Sequence, residues 1–240
     1  MITVLMFLGA IAFFISIMFA PSRRTRIIAG LITGIIFVGS TVLITTNFHD
    51  HFGMKKVTTT KTTQIYSASS QLPIILYQPI GTSGKDDVYV YRTNDDSAKT
   101  THTQTDGYTT NRVVKTNDTK ATLTTKETHW RFKNKFYRLL FAGSKMDGNL
   151  ISRTNTLRYP KNYVKLTVKQ AELLKKQMKS SNAAAQTALK QQAEAFVKAQ
   201  LQSALQKNPQ LSTTQQLEIA QQAQQQFQAQ LIKKMLAQAN

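Results

Sequence analysis

The sequence predicts an α+β membrane protein with an N-terminal transmembrane helical hairpin, a small antiparallel β-domain and long C-terminal α-helices. Two apolar stretches open the chain, a Thr-, Tyr- and Val-rich region with alternating side chains follows, and the remainder is rich in Ala, Gln, Lys and Leu. These changes of composition place the domain boundaries at residues 1–47, 48–165 and 166–240, with a helix break near Pro209.

The first two apolar stretches are predicted to span a membrane. Residues 1–20 and 27–46 contain no Asp, Glu, Lys, Arg or His. About 20 residues at ~1.5 Å each match a hydrocarbon core of about 30 Å. A cleaved signal peptide is not favoured, because no basic segment precedes Ile2 and no A-x-A-like site precedes the second stretch. The absence of charge also argues against a proton relay or an ion pathway within the spans.

Small residues recur along one face of each predicted span. Ala12, Ser16 and Ala20 follow each other at intervals of four, and Gly30 and Gly34 form a G-x-x-x-G pair. Small residues let helix backbones approach closely in lipid. Such a face serves either packing within the hairpin or dimerisation, and the sequence leaves both open.

The loop between the two spans predicts their orientation. Its sequence, PSRRTR (21–26), places three arginines in six residues, and short basic loops stay in the cytoplasm. The cations after the second span, Lys55, Lys56 and Lys61, are spread over a longer stretch. We therefore expect a multi-pass cell-membrane protein whose N-terminus and residues from 48 onward are extracytoplasmic.

The charge and cysteine content limit the partners and the chemistry. The 240 residues include 31 Lys and Arg against 12 Asp and Glu, a net charge of +19, and no Cys. A surplus of this kind favours an anionic partner such as nucleic acid, lipid headgroups or a wall polymer. The lack of Cys excludes disulfides, thiolate metal sites and a Cys nucleophile.

The middle region reads as several short strands separated by turn signals. We expect an antiparallel sandwich or open barrel with strands at residues 57–66, 72–78, 87–92, 111–116, 119–126, 129–133 and 136–141. The predicted core comprises Ile74, Leu76, Val88, Val90, Val113, Leu123, Trp130, Phe132, Tyr137 and Leu139.

Several separated segments resemble one family. They are YQPIGTSGK (77–85), VYVY (88–91), HWRFKNKFYRLLF (129–141) and TNTLRYPKNYVKL (154–166). The likeness covers about residues 1–175 and is to uncharacterised small membrane proteins of lactic-acid-type Gram-positive bacteria, which have two N-terminal spans and a domain of unknown function. The resemblance implies the same architecture and brings no activity, cofactor or site residue.

The tail is predicted to form two helices. Thr167 with Gln170, and Ser212 with Gln215, have the form of capping boxes, and Pro209 ends the first helix near residue 207. A helical hairpin, a coiled coil, a solvated helix and a partly disordered Gln-rich tail all remain open. The apolar stripes are Ala185, Leu189, Ala193, Val197, Leu201 and Leu205 on the first helix, and Leu217, Ala220, Phe227, Leu231 and Met235 on the second.

Two motifs that suggest ligand binding fail on spacing. The stretch from Gly81 to Asp86 departs from a phosphate loop, because its glycines are three residues apart and Asp86 stands where Ser or Thr is needed. His49, Asp50 and His51 are consecutive and do not close a tetrahedral metal site without another ligand. A turn and a solvated segment at the membrane interface are the expected structures.

The acids and the aromatic residues of the β-domain give no stronger signal. Asp87, Asp95 and Asp96 lie in predicted solvated turns, and Glu127 is the only Glu of this region. The segment from Trp130 to Arg138 alternates aromatic and cationic residues. Such a face can bind nucleic acid, but period-2 alternation on a hairpin explains it more simply. No catalytic, cofactor-binding or metal-binding residue is therefore predicted.

These features together predict a non-enzymatic envelope protein that binds or scaffolds through its basic β-domain. The expected partners are the lipid bilayer, anionic wall polymers such as teichoic acids, or a membrane protein; nucleic acid is not expected outside the cell. The alternatives are an envelope enzyme acting on glycan through Asp86, Asp87 or Glu127, an accessory subunit of a transporter, and a cytoplasmic domain that binds nucleic acid. The oligomeric state is left open.

Overall fold

The structure, a computed structural model, describes residues 1–70, 72–81, 87–180 and 183–239. Its helices are α1 (Ile2–Phe19), α2 (Arg23–Asp50), α3 (Lys135–Leu140), α4 (Val168–Ser180), α5 (Ala183–Lys207) and α6 (Thr213–Ala239). Its strands are β1 (Met54–Ile65), β2 (Ile74–Gln78), β3 (Val88–Arg92), β4 (Thr100–His102), β5 (Thr109–Thr116), β6 (Ala121–Phe132), β7 (Leu150–Pro160) and β8 (Val164–Thr167). The predicted α+β class, with apolar helices first, small sheets next and long helices last, is confirmed.

The strands form two four-stranded sheets, with orders β1-β6-β7-β5 and β4-β3-β2-β8. In the second sheet β3 is antiparallel to β2 and β4, and Leu76 lies opposite Val90. The β2–β8 pair is parallel, with Ile74 opposite Val164. This pair departs from the all-antiparallel arrangement that the short strand spacing predicts.

The chain divides into two compact units that are not continuous in sequence. The first unit comprises residues 1–60 and 126–153, and the second comprises residues 61–125 and 154–240. The unit borders fall inside β1, β6 and β7. The three-part division along the chain, at 47/48 and 165/166, stays a prediction.

The two apolar helices of the first unit pack through the predicted small-residue face. A Cβ added to Gly9 would lie 3.1 Å from the backbone nitrogen of Phe37, and one added to Gly34 would lie 3.2 Å from Cε2 of Phe13. Gly9 and Gly30 are buried. Both helices are long and apolar enough to cross a membrane, and 11 % of the apolar window of each is buried. Their small residues thus serve the hairpin, and their large apolar side chains point away from it.

The predicted strand at 136–141 is wrong, since this segment is helix α3. Asn134 adopts extended backbone angles, and its Oδ1 accepts a hydrogen bond from the backbone N–H of Tyr137 at 3.1 Å. That bond is an N-cap, which favours a helical turn over a second strand. Leu139 is consequently 61 % exposed, so its predicted place in the core is also wrong.

The other strand predictions are confirmed in part. The segments 119–126 and 129–133 form one strand, β6, and β4, β7 and β8 lie outside the predicted strands. β7 carries polar residues at interior positions, and its Asn155 is 1 % exposed. Because those residues break the apolar alternation, the strand leaves no clear period-2 signal.

The core of the second unit is richer in tyrosine than predicted. Tyr89 and Tyr91 are buried together with Ile75, Leu157 and Tyr159. Val88, on the other face of β3, is buried as well. The strand is therefore covered on both faces, whereas the alternation predicts one covered face.

The tail follows the predicted capping and break. The N–H of Gln170 donates to Thr167 Oγ1 at 3.1 Å, while the N–H of Thr167 donates to Gln170 Oε1 at 3.0 Å. The Ser212–Gln215 pair repeats this pattern at 3.3 and 3.0 Å. Residues 181 and 182, inside the predicted first helix, and the side chain of Ala185 lie outside what the structure describes.

Helices α5 and α6 pack against each other. The rings of Phe196 and Phe227 are 5.8 Å apart, and the predicted α5 stripe from Leu189 to Leu205 is half-buried. The predicted α6 stripe is wrong at Leu217, which is 60 % exposed. The buried residues of α6 are instead Ala223, Ala229 and Ile232, because this helix also packs on β8 and α4.

Candidate functional site

A large surplus of positive charge lies in the part of the first unit that follows the hairpin. We call residues 51–60 and 126–153 the foot. The foot contains nine Lys and Arg against two acids, Glu127 and Asp147, a net charge of +7 in 38 residues. Its exposed cations are Lys55, Lys56, Lys126, Arg131, Lys133, Lys135, Arg138 and Lys145.

A small apolar core fixes the foot to the hairpin. Met54, Phe132, Phe141 and Met146 cluster with Ile2 of α1, which is 3 % exposed, and Leu43 and Ile44 of α2 pack against the same cluster. The N-terminal ammonium of Met1 donates to the carbonyl of Ala142 at 3.3 Å. The foot therefore sits at the end of the hairpin where α1 begins and α2 ends.

Helix α3 gives the foot an exposed apolar edge. Phe136 is 65 % exposed and Leu139 is 61 % exposed, three residues apart on one face of the helix. The ring of Phe136 meets that of Tyr137 at 5.5 Å, and Tyr137 meets Phe52 at 5.7 Å. Aromatic rings thus run from the end of α2 to α3, and Phe52 and Phe136 at the two ends of this series are exposed.

Trp130 is the only tryptophan of the chain, and it also lies in the foot. The His51 ring stacks on it at 4.0 Å with an angle of 16° between the planes. The Lys56 ammonium lies 5.4 Å from the indole centroid, within cation–π distance. Tryptophan with flanking cations is typical of the interface between a membrane and water.

The two acids neutralise only part of the charge. Asp147 lies 3.7 Å from Arg131 and 4.0 Å from Arg138. Glu127 accepts from Arg153 at 2.7 Å and lies 3.9 Å from His129. Lys55, Lys56, Lys133, Lys135 and Lys145 have no acidic partner within the described part of the chain, and all five are exposed.

The His49-Asp50-His51 segment ends α2 and leads into the foot. His49 and Asp50 are exposed, and His51 takes a left-handed backbone conformation (φ 56°) that ends the helix. Among the residues that the structure describes, no group of three or more His, Cys, Asp or Glu could hold a metal ion. The His51 ring packs on Trp130 and does not join a group of metal-binding side chains in the described part of the chain.

The acids considered for catalysis lie in different surroundings. Asp86 and most of the Gly81–Asp86 turn are outside the described residues. Asp95 is exposed and lies 3.4 Å from Arg92. Asp87 is 7 % exposed, so the prediction of a solvated turn is wrong for it, because its Oδ2 accepts from Lys165 at 3.0 Å and from the Tyr89 hydroxyl at 3.1 Å.

The Asp87–Lys165 pair forms a tight cluster with two tyrosines. The Lys165 ammonium lies 4.0 Å from the ring centroid of Tyr77 and 5.3 Å from that of Tyr89. Burial alone disfavours the charged Lys165, but the hydrogen bonds to Asp87 and Tyr89 outweigh it and raise the pKa of Lys165. Burial raises the pKa of Tyr89. Each charge is therefore satisfied inside the cluster.

Arg92 is buried but is occupied by the chain itself. Its Nε donates to Ser67 O at 2.7 Å, Nη1 donates to Asp95 O and to Ser97 O at 3.2 Å, and Nη2 donates to Ser69 O at 3.5 Å and to Asp95 Oδ1 at 3.4 Å. A guanidinium has five N–H donors, and all five are used here. Arg92 therefore holds loops together and offers no donor to an anion.

Within the Trp130–Arg138 segment, the predicted strand at 129–133 is confirmed as part of β6, whereas the strand predicted from 136 onward is helix α3. The sequence signal for α3 is Asn134, because Asn is a preferred N-cap residue and predicts a helix that begins at Lys135. Its position at the end of the hairpin depends on contacts of Phe132 and Phe141 with Ile2, which lies far away in sequence.

Comparison with known proteins places the chain in a family. The profile described as "Domain of unknown function (DUF4811)" matches residues 22–174, which is more than half of the chain and runs from the start of α2 into α4. No curated protein and no solved structure matches. The expected membership in a family of domains of unknown function is thereby confirmed, while the two membrane spans and the bacterial lineage stay predictions. The chain belongs to the DUF4811 family.

Proposed function

We propose that this protein is a non-enzymatic binding protein, anchored in the cell membrane by α1 and α2, whose foot holds anionic phosphate groups at the outer membrane surface. The phosphates belong to lipid headgroups or to wall polymers such as teichoic acids. The foot's net charge of +7 at the end of the hairpin carries this proposal.

The arrangement of the foot suits an anionic interface. A Lys or Arg near an anionic membrane contributes about 1 kcal/mol, and the effect falls off within a Debye length of about 10 Å. The five lysines without an acidic partner are therefore enough to bind a phosphate-rich surface. Phe136 and Leu139 add apolar area beside them, as interfacial segments do.

The arginines at the other end of the hairpin support this orientation. Arg23, Arg24 and Arg26 occupy the first turn of α2, where the helix dipole disfavours cations. The structure places them there without an acid in the same turn. A cytoplasmic loop facing anionic headgroups supplies the missing counter-charge and leaves the foot outside the cell.

The absence of enzymatic activity is part of the proposal. Asp87 is held by Lys165 and Tyr89, and Glu127 is held by Arg153. A glycosidase of the usual kind needs two carboxylates on either side of the scissile bond, one of which changes protonation state. Both carboxylates are therefore bound to side chains of the protein itself and are not free to flank a substrate.

The orientation is tested by cysteine labelling, since the natural chain has no Cys. Lys145→Cys places a thiol on the foot, and Pro21→Cys places one in the loop between the helices; both positions are exposed. In intact cells stripped of wall, a membrane-impermeant maleimide should label only Lys145→Cys. Labelling of Pro21→Cys alone would place the foot inside and refute the proposal.

Phosphate binding is tested on the full chain, because Ile2, Leu43 and Ile44 complete the core of the foot. The protein is placed in zwitterionic nanodiscs and titrated with soluble polyglycerol phosphate at several salt concentrations. The variant K133Q/K135Q/R138Q should bind about tenfold or more weakly and show a smaller salt dependence. If polymer binding disappears in nanodiscs with anionic lipid, the lipid headgroups occupy the foot.

The matched control is K61Q/K99Q/R112Q, which removes three exposed cations from the second unit. It has the same net charge as the foot variant. Equal weakening by both variants would show that only total charge matters and would contradict a site on the foot.

A further inference from the structure

The second unit contains a groove that is chemically unlike the foot. Two adjoining clefts of about 600 and 480 Å³ lie along α6, and they share Thr119, Lys120, Gln221 and Gln225 as lining residues. We call the two clefts together the amide groove. Each volume falls within the range of about 300–1,000 Å³ that is usual for small-molecule sites.

The position of α6 is set by its apolar face. Ala229 and Ile232 are buried against Ile74, Leu166 and Leu174. With that face fixed, the glutamines at 221, 224, 225 and 228 line the groove. Their spacing of i, i+3, i+4 and i+7 is that of one helix face, here polar where a core-facing stripe is apolar.

The groove offers many neutral hydrogen-bonding groups. Gln225 is anchored, because its Oε1 accepts from Asn162 Nδ2 at 2.5 Å. The side-chain amides of Gln221, Gln224 and Gln228 make no hydrogen bond to any other described residue, so water or a ligand must satisfy them. Each amide presents two donors and one acceptor oxygen. Ser70 and Thr119 add hydroxyls, and Tyr66 and Tyr163 add rings.

The charges of the groove cancel, although the chain as a whole carries +19. Lys120 and Lys161 are balanced by Asp118 and Glu218 in one cleft. In the other cleft, Arg92 has all five donors occupied and lies beside Asp95. A site for a polyanion would keep its cations unbalanced, as the foot does. The groove therefore suits a neutral ligand.

We propose that the amide groove binds a neutral, hydroxyl-rich glycan chain. Sugar hydroxyls and acetamido groups are both donors and acceptors, and they match the Gln amides and the Ser and Thr hydroxyls. A sugar ring presents an apolar C–H face that can pack on Tyr66 or Tyr163. This proposal concerns a different surface from the foot and does not depend on phosphate binding there.

An extended peptide is the main competing ligand, and the groove suits it less well. Peptide recognition uses a free sheet edge or pockets for apolar side chains. The walls here are α6 side chains, the 116–120 turn and the 160–163 turn, with Gln64 and Tyr66 at one end. A helix has no free backbone groups in its middle, so α6 cannot pair with an extended chain.

The test uses the full chain in zwitterionic nanodiscs and a hexasaccharide of N-acetylglucosamine as the probe. Binding is followed by saturation-transfer NMR and by calorimetry. Gln224→Ala/Gln228→Ala should weaken binding about tenfold, since two hydrogen-bonding amides are lost. Salt between about 0.05 and 0.5 M should leave the affinity unchanged, because screening acts on charges only.

The control variant is Gln200→Ala/Gln230→Ala, which changes the same residue type at exposed positions that line neither cleft. It should bind the hexasaccharide like the natural protein. The groove variant should keep the far-ultraviolet circular dichroism and the Tm of the natural protein, which shows that it is folded. No hexasaccharide binding by the natural protein, equal weakening by both variants, or displacement of the sugar by a neutral peptide would overturn the proposal.

Discussion

Gly53 connects α2 to β1 in the foot and tolerates no side chain. Its φ of 78° lies in the left-handed region, and its carbonyl accepts a hydrogen bond from the N–H of Lys133 at 2.9 Å. An added Cβ would lie 2.5 Å from Cδ1 and 2.9 Å from Cγ of Tyr137. The Tyr137 ring cannot easily move away, because it contacts the rings of Phe52, Phe136 and Phe141.

Two costs add in Gly53→Ala. The left-handed conformation costs a residue with a Cβ about 1–2 kcal/mol. Overpacking against Tyr137 costs about a further 1–3 kcal/mol. The total, about 2–5 kcal/mol, should lower Tm by roughly 4–20 °C at about 2–4 °C per kcal/mol. Opening this cluster would also loosen the exposed rings beside it.

Two other glycines separate the costs. Gly143 has a φ of 92° but no atom within 4 Å of an added Cβ, so Gly143→Ala should cost about 1–2 kcal/mol. Gly107 has open space as well and no positive φ, so Gly107→Ala should be close to neutral.

The assay is thermal unfolding of the full chain in nanodiscs, followed by the fluorescence of Trp130. Because Trp130 is the only tryptophan and stacks on His51, it reports on the foot. The expected order of Tm is Gly107→Ala, then Gly143→Ala, then Gly53→Ala as the lowest. A Tm for Gly53→Ala equal to or above that of Gly143→Ala would refute the steric argument.

Three further predictions concern the second unit. Asn155→Ala removes a buried amide that donates to Asn111 Oδ1 and accepts from Thr125 Oγ1, both at 2.9 Å. The substitution should lower the free energy of unfolding by about 1–3 kcal/mol. A loss below about 0.5 kcal/mol in thermal unfolding would contradict this. Thr167→Ala removes the N-cap of α4 and should lower the free energy of unfolding by about 1 kcal/mol. Ser212→Ala, at the exposed cap of α6, should lower it by less. A lower Tm for Ser212→Ala than for Thr167→Ala would contradict this prediction. Burial raises the pKa of Tyr89 and Tyr159 above 10.0, so the native state keeps protons that the unfolded chain loses. The free energy of unfolding should therefore fall as the pH rises above about 10, and tyrosinate absorbance should appear together with the loss of far-ultraviolet circular dichroism; tyrosine ionisation that is complete before unfolding would exclude this coupling.

Features that depend on neighbouring residues in sequence are predictable here. The two capping boxes need only residues three apart, and both are present as reciprocal hydrogen bonds. The apolar helices of the hairpin follow in the same way from continuous composition, and the break at Pro209 follows from a missing N–H.

Features that depend on distant contacts are not predictable from local patterns. The burial of Tyr89 and Tyr91 reflects packing against Ile65, Leu157 and Tyr159, which belong to other strands. The sequence does not predict strand β7, because its Asn155 is a polar residue at a buried position. The side chain of Asn155 forms hydrogen bonds with Asn111 and Thr125. In the sequence, the residues of a buried polar network have the same composition as those of a solvated loop. Composition alone does not show which side chains form hydrogen bonds with each other.

A strongly basic foot is compatible with a location outside the cell, because membrane topology depends on the cations that lie close in sequence to the ends of the spans. The positive-inside preference counts cations within about 15–20 residues of a span end, and long translocated domains escape it. Lys55 and Lys56 fall within that distance of Asp50, whereas the cations from Lys126 to Arg153 lie more than 70 residues further along. Only folding, through the contacts of Phe132 and Phe141 with Ile2, brings that second group to the end of the hairpin. In the proposed topology, the three arginines of the loop set the orientation first, and the fold then places a net charge of +7 at the opposite end of the hairpin without reversing it.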